Sequence, residues 1–187
     1  MQVTVQPSFL IFWTILCLLD TQGLMLYFLP AAILHELGHF ACLYALGGHA
    51  EELELNGAGA KIEMVLNGGY RADILTSASG PLANLLCACL CGCFRWEMSA
   101  GAHLILGLFN LLPILPLDGG RIAAALLEAS PLGWRAQEYM LRWSQGCSIL
   151  LFFIGVYFIM VTNNPALLFA GGYLTLNTCK ITMGRLY

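Results

Sequence analysis

The sequence predicts an all-α polytopic membrane protein, with about six transmembrane helices and a small membrane-associated β-hairpin between the second and the third. Three observations predict this class. Of the 187 residues, 59% are hydrophobic and only 10% charged, against roughly a quarter charged in soluble domains, and mean hydropathy is +0.76. The apolar runs nearly fill the chain, so 1–187 reads as a single integral-membrane domain and any chemistry takes place within it. Between His49 and Asp73 the helical periodicity gives way to alternation, in Glu52-Leu53-Glu54-Leu55 and Ala60-Lys61-Ile62-Glu63-Met64 with Asn56-Gly57 between. That pattern reads as a hairpin or small sheet, with a polar surface loop as the alternative.

Taken in order, Met1 to Ser8 lacks the positive region of a signal peptide, and no small-residue cleavage site follows the apolar run Phe9 to Leu19. This run is a first, short span. Asp20-Thr21-Gln22-Gly23 turns the chain into the second, Leu24 to Leu46, which Gly47-Gly48 terminates by permitting a left-handed cap. The second span is long enough to cross a hydrocarbon core of about 30 Å, yet it carries His35, Glu36 and His39. Ionisable groups at that depth are costly and need a partner.

The spacing of the three suggests a metal. Histidines at i and i+4 stand about 40° apart around a helix and about 6 Å apart along it, so both imidazoles can reach one ion. Glu36 then occupies a neighbouring face, from which it can take a proton from an attacking water, as in H-E-x-x-H hydrolases. The bland readings are a buried His–Glu pair in a helix bundle and a proton relay in a transporter. A third ligand elsewhere would separate them from a metal site.

The third span, about Ile74 to Phe94, carries Ser79-Gly80-Pro81-Leu82-Ala83-Asn84. Small residues allow close helix approach and Pro81 frees a backbone carbonyl near Ser77, but the Asn84 amide needs a partner in hydrocarbon. Cys87, Cys89, Cys91 and Cys93 alternate in the same span and read as small buried apolar residues, with a metal cluster as a second choice. Arg95-Trp96-Glu97 marks an interface. A fourth span, about Ala100 to Leu112, runs into Asn110-Leu111-Leu112-Pro113-Ile114-Leu115-Pro116-Leu117-Asp118-Gly119-Gly120-Arg121, where two prolines break the helix and two glycines allow a sharp turn after Asp118. A carboxylate presented on such a break is well placed to be a ligand. Ile122 to Trp143 reads as an interfacial helix and connection, and two further spans, about Ser144 to Val161 and Pro165 to Lys180, read as scaffold.

Charge distribution sets orientation and limits partners. With six spans, Lys61, Arg71, Arg121, Arg135, Arg142, Lys180 and Arg185 fall on one side and Arg95 alone on the other, which puts both termini and the hairpin in the cytoplasm of a multi-pass cell-membrane protein. The motif then lies toward the cytoplasmic face. The net charge of −3 includes no basic run that could track phosphates, which argues against a nucleic-acid partner.

HELGH in one span, SGPLAN in the next and NLLPILPLDGGR at the end of the following one resemble the site-2 protease family of intramembrane zinc metalloproteases. The short connecting loop and the span count resemble the sporulation-type branch, which processes a membrane-tethered pro-sigma factor; the C-terminal CBS domain frequent in that branch is not expected here. The resemblance implies one zinc per chain held by His35, His39 and Asp118, with Glu36 as general base and Asn84 helping to hold substrate or the developing oxyanion; Asn110 is a further candidate substrate contact. It also implies a membrane-tethered protein substrate, such as a pro-sigma or anti-sigma factor, in a lipid bilayer, with a membrane inhibitor or a second copy as further partners. We add Ile62 as a substrate contact, because an unwound transmembrane segment exposes backbone groups that a sheet edge can pair. The competing function classes are an inactive scaffold that grips transmembrane segments and a transporter. The complete set of His35, Glu36, His39 and Asp118 disfavours the first, and the lack of ionisable residues inside the last two spans disfavours the second.

Overall fold

A computed structural model describes residues 2–7, 10, 14, 18, 20, 23–56, 59–65, 68–131, 133–162 and 165–183. The chain divides into two compact units, Met1–Asn110 and Leu111–Tyr187. Most of the first apolar run, Phe9 to Leu19, lies outside the described residues.

In the first unit, helix α1 spans Met25–Ala45. Asp20 starts it: its two carboxylate oxygens accept the backbone N–H groups of Leu24 and Met25 at 2.9 and 2.8 Å, meeting donors a helix start leaves without an internal acceptor. Its end is a Schellman turn. Gly47, at φ 76°, donates to the Tyr44 carbonyl while Gly48 donates to that of Leu43.

Helix α2, Gly69–Cys93, begins five residues before the predicted span and contains Pro81. Helix α3, Glu97–Asn110, is 14 residues long, so at 1.5 Å per residue it covers about 21 Å, less than a hydrocarbon core. Helices α1, α2 and α3 pack mutually. Leu43 apart, their buried positions are mostly small or polar: α1 buries a single stripe of Ala31, His35, His39 and Leu43, and α2 buries Thr76, Ser77, Gly80, Pro81 and Asn84. Leu26, Ile33 and Leu37 of α1 and Leu75, Leu82 and Leu86 of α2 are exposed. Polar groups inside and leucines outside is the arrangement hydrocarbon selects, since apolar side chains gain nothing by avoiding lipid while polar ones must find partners.

The same unit holds a three-stranded sheet in the order β1-β2-β3, made of Gln2–Val5, His49–Asn56 and Gly59–Val65. Strands β2 and β3 pair antiparallel, with Leu53 opposite Ile62 and Glu54 opposite Lys61, and a bulge interrupts the register between Ala50 and Glu52. Strand β1 runs parallel to β2, Val3 opposite Leu53. Because β2 is central, β3 is an edge strand among the described residues.

In the second unit, α4 (Asp118–Glu128) is followed by a 3-10 turn at Gly133–Arg135, then α5 (Ala136–Thr162) and α6 (Ala166–Met183). The interfacial helix expected to reach Trp143 is therefore divided. Its first part is α4, and Glu138 and Arg142 sit in the opening turns of α5, paired at 2.7 Å one turn apart. Helices α5 and α6 approach closely at glycine: a Cβ on Gly155 would stand 2.6 Å from Leu168 Cα, and one on Gly171 2.7 Å from Phe152 Cα. Ser148 and Thr178 face each other across this crossing at 3.3 Å.

Among the described residues three segments are long and apolar enough to cross a membrane: Met25–Ala45, Gly69–Cys93 and Gly133–Val161. Six spans were expected; among the described residues α3 is too short by itself, and α6 does not meet that standard. The four cysteines of α2 are also not all buried. Cys89 and Cys93 are exposed, Cys87 and Cys91 are half-buried, and all four are free thiols.

Candidate metal centre

His35 and His39 occupy successive turns of the buried stripe of α1, with side chains 6% and 5% exposed overall. Their rings meet edge to face, centroids 4.7 Å apart at 86°, and their Nε2 atoms lie 3.1 Å from each other. Two nitrogens bound to one tetrahedral zinc at about 2.0–2.1 Å stand about 3.3 Å apart. The pair thus fits a shared ion.

Helix α2 orients both rings. His39 Nδ1 is 2.7 Å from the carbonyl oxygen of Thr76, and since a carbonyl only accepts, Nδ1 carries the hydrogen and the neutral ring keeps its lone pair on Nε2. Such an Nδ1–H to carbonyl contact is a recurrent support for a metal-binding histidine. The Thr76 carbonyl also accepts from Ser79 Oγ at 2.6 Å, in the turn before Pro81. Glycine makes room for this contact. A Cβ on Gly80 would lie 2.4 Å from His39 Nε2, and one on Gly38, between the two histidines, 2.8 Å from the Ser79 carbonyl oxygen.

His35 is held through Asn84, which is fully buried. Asn84 Nδ2 is 3.1 Å from His35 Nδ1, and Asn84 Oδ1 is 3.1 Å from His103 Nδ1. The residue expected to touch substrate therefore spends its amide on two imidazoles, and it exposes none of its surface. His103 belongs to α3, one turn before Gly107, whose missing side chain lets α3 lie against Asn84 Cβ and the Pro81 carbonyl, each 3.3 Å from the position a Cβ would take. No motif singles out His103. The available signal is its position as an ionisable residue in the interior of an apolar helix whose other ionisable group, Glu97, stands at its first position.

Glu36 is half-buried on α1 beside the histidine stripe. Asn110 closes α3, where its Nδ2 donates to the Leu106 carbonyl at 3.1 Å. Ile62 lies in edge strand β3. Asp118, in the second unit, is the first residue of α4 and is buried. Its position depends on the two glycines that follow: a Cβ on Gly119 would meet the Leu111 carbonyl oxygen and one on Gly120 would come within 2.5 Å of the Ile114 carbonyl carbon, so the 111–117 loop lies directly over the first turn of α4. Ser144 Oγ fixes that loop further by accepting the Leu115 N–H at 2.9 Å.

The overall fold matches that of a solved structure titled "Site-2 Protease from Methanocaldococcus jannaschii", with a TM-score of 0.72 over 95% of this chain and 89% of that one, at 19% sequence identity. The chain therefore shares the fold of that structure. A family model described as "Peptidase family M50" matches residues 94–154, a stretch that includes Asp118 and excludes both histidines. No curated protein matches the chain.

Proposed function

We propose that this chain is an intramembrane zinc metalloprotease of the site-2 type, which hydrolyses a peptide bond in or near a transmembrane segment of a membrane-tethered protein. The observation that carries this reading is the meeting of His35 and His39 at 3.1 Å through their Nε2 atoms inside a helix long enough to span a bilayer.

In this reading His35, His39 and Asp118 hold one zinc, which, when present, polarises the scissile carbonyl and acidifies the attacking water. Asp118 suits the role because the first turn of a helix stabilises a carboxylate. Glu36 accepts the proton of the water on its carboxylate and passes it to the nitrogen of the departing amine. His39, anchored by Thr76, and His35, backed by Asn84, keep fixed ring orientations throughout.

Asn110 and Ile62 are the proposed substrate contacts. The Asn110 amide is steadied by Leu106 and keeps its oxygen for a backbone N–H. Ile62 lies in the outer strand of the sheet, where an unwound segment can add as a further strand. We place the protein in the cell membrane with both termini and the site toward the cytoplasm, on the charge distribution, and its substrate among proteins such as a tethered pro-sigma or anti-sigma factor, on the resemblance to the sporulation-type branch.

The test is cleavage of a tethered single-span model substrate by the purified full chain in detergent. Cutting that stops with a zinc chelator and returns with zinc supports the reading. Stoichiometric substrate binding without cutting identifies a scaffold, and neither binding nor cutting opposes both.

A further inference from the structure

Asn84 cannot serve both of its imidazoles in the same way, because its amide offers donors at one end and an acceptor at the other. As it stands here, Nδ2 faces His35 Nδ1 and Oδ1 faces His103 Nδ1. A donor pointing at His35 Nδ1 requires that nitrogen to accept, and a neutral ring then carries its hydrogen on Nε2. That is the atom which faces His39 Nε2 and which an ion would need. For His35 to present a lone pair at Nε2 it must hold its hydrogen on Nδ1, and the Asn84 amide must turn over to accept it.

The turn has a consequence at the far end. With Oδ1 toward His35, Nδ2 points at His103 Nδ1, which must then accept and shift its own hydrogen to Nε2. We propose that His103 is a positioning residue for the metal centre: through Asn84 it selects the tautomer of His35 and so governs whether His35 Nε2 can ligate. Each ring exchanges which of its nitrogens bears its hydrogen, and no proton is gained or lost by the pair.

The packing supports a dedicated contact. His103 is 8% exposed and Asn84 0%, so neither amide end has water to fall back on, and a mismatched donor would remain unsatisfied. Gly107, one turn from His103 on the same face, removes the side chain that would keep α3 from reaching Asn84.

The inference rests on the metal reading above, and the test separates the two. Zinc affinity of the detergent-solubilised full chain is measured by chelator competition for the wild type, His35→Ala, His103→Leu and His103→Asn. His35→Ala should abolish binding. His103→Leu should weaken it by about 10–100-fold, the usual range for losing a supporting partner of a ligand. His103→Asn, whose amide can present an oxygen to Asn84 Nδ2, should bind close to wild type. In the wild type, long-range proton–nitrogen spectra of 15N-histidine should show His103 passing from an Nδ1–H to an Nε2–H ring as zinc is added, a readout independent of whether the variants fold. Unchanged affinity in His103→Leu, equal loss in both His103 variants, or a His103 tautomer indifferent to zinc overturns this inference alone. A wild type that binds no zinc overturns the metal reading together with it.

Discussion

Gly80 sits where any side chain would strike the ring of His39: a Cβ there would be 2.4 Å from Nε2 and 2.6 Å from Cε1. The glycine of SGPLAN is thus a constraint on a residue of HELGH, and the two motifs are two sides of one contact between α1 and α2.

Gly80→Ala should therefore displace His39 from the Thr76 carbonyl and weaken zinc binding by about 10–100-fold, as expected for disturbing the support of a ligand. Helix content by circular dichroism should hardly change. Equilibrium dialysis against buffered zinc reads the outcome; wild-type affinity in the Gly80→Ala variant would show that the ring has another way to sit.

Glu36→Gln preserves the shape of the side chain but cannot accept a proton from water. The variant should retain its zinc and lose turnover by about 10²–10⁴-fold, the usual contribution of a positioned general base. Cleavage near the wild-type rate would remove Glu36 from the reaction.

How far these elements are legible in the sequence depends on the range of the interaction that makes them. The i, i+4 histidines and the Gly47-Gly48 cap are local and can be read directly, because helix geometry converts spacing into position. The partners of Asn84 are not local: they lie 49 and 19 residues away on two other helices, and spacing says only that the amide needs someone. His103 escapes for the same reason. Burial of the α2 cysteines cannot be read either, since lipid-facing and core-facing positions are both apolar in a membrane helix. Gln2–Val5 alternates polar and β-branched residues, a strand signal, but four residues ahead of an apolar run carry little weight without the parallel partner β2. The division of the predicted Ile122 to Trp143 segment follows from Pro131 and Gly133, which separate α4 from α5.

The charge asymmetry predicts topology. Reporter fusions after Tyr187 and within residues 49–73 should both read as cytoplasmic, and one within 95–100 as external. An external C-terminus would contradict the count of spans.

Edge strand β3 makes a further prediction. Proline removes a ladder donor without touching a proposed ligand, so Lys61→Pro or Ile62→Pro should impair cleavage of a membrane-embedded substrate and leave zinc content intact. Neighbouring positions in a strand point their N–H groups to opposite sides, so only the outward one need respond. If cleavage survives proline at both positions, the substrate is held elsewhere.

The central claim is that His35, His39 and Asp118 form one metal site, and zinc content by elemental analysis of the purified full chain tests it most directly. About one zinc per chain is expected in the wild type and in Glu36→Gln, with strong loss in His35→Ala, His39→Ala and Asp118→Ala. Zinc absent from the wild type, or retained at wild-type level when either histidine is removed, would contradict it; zinc retained with full cleavage in Asp118→Ala would leave the histidine pair standing and remove Asp118 from the site.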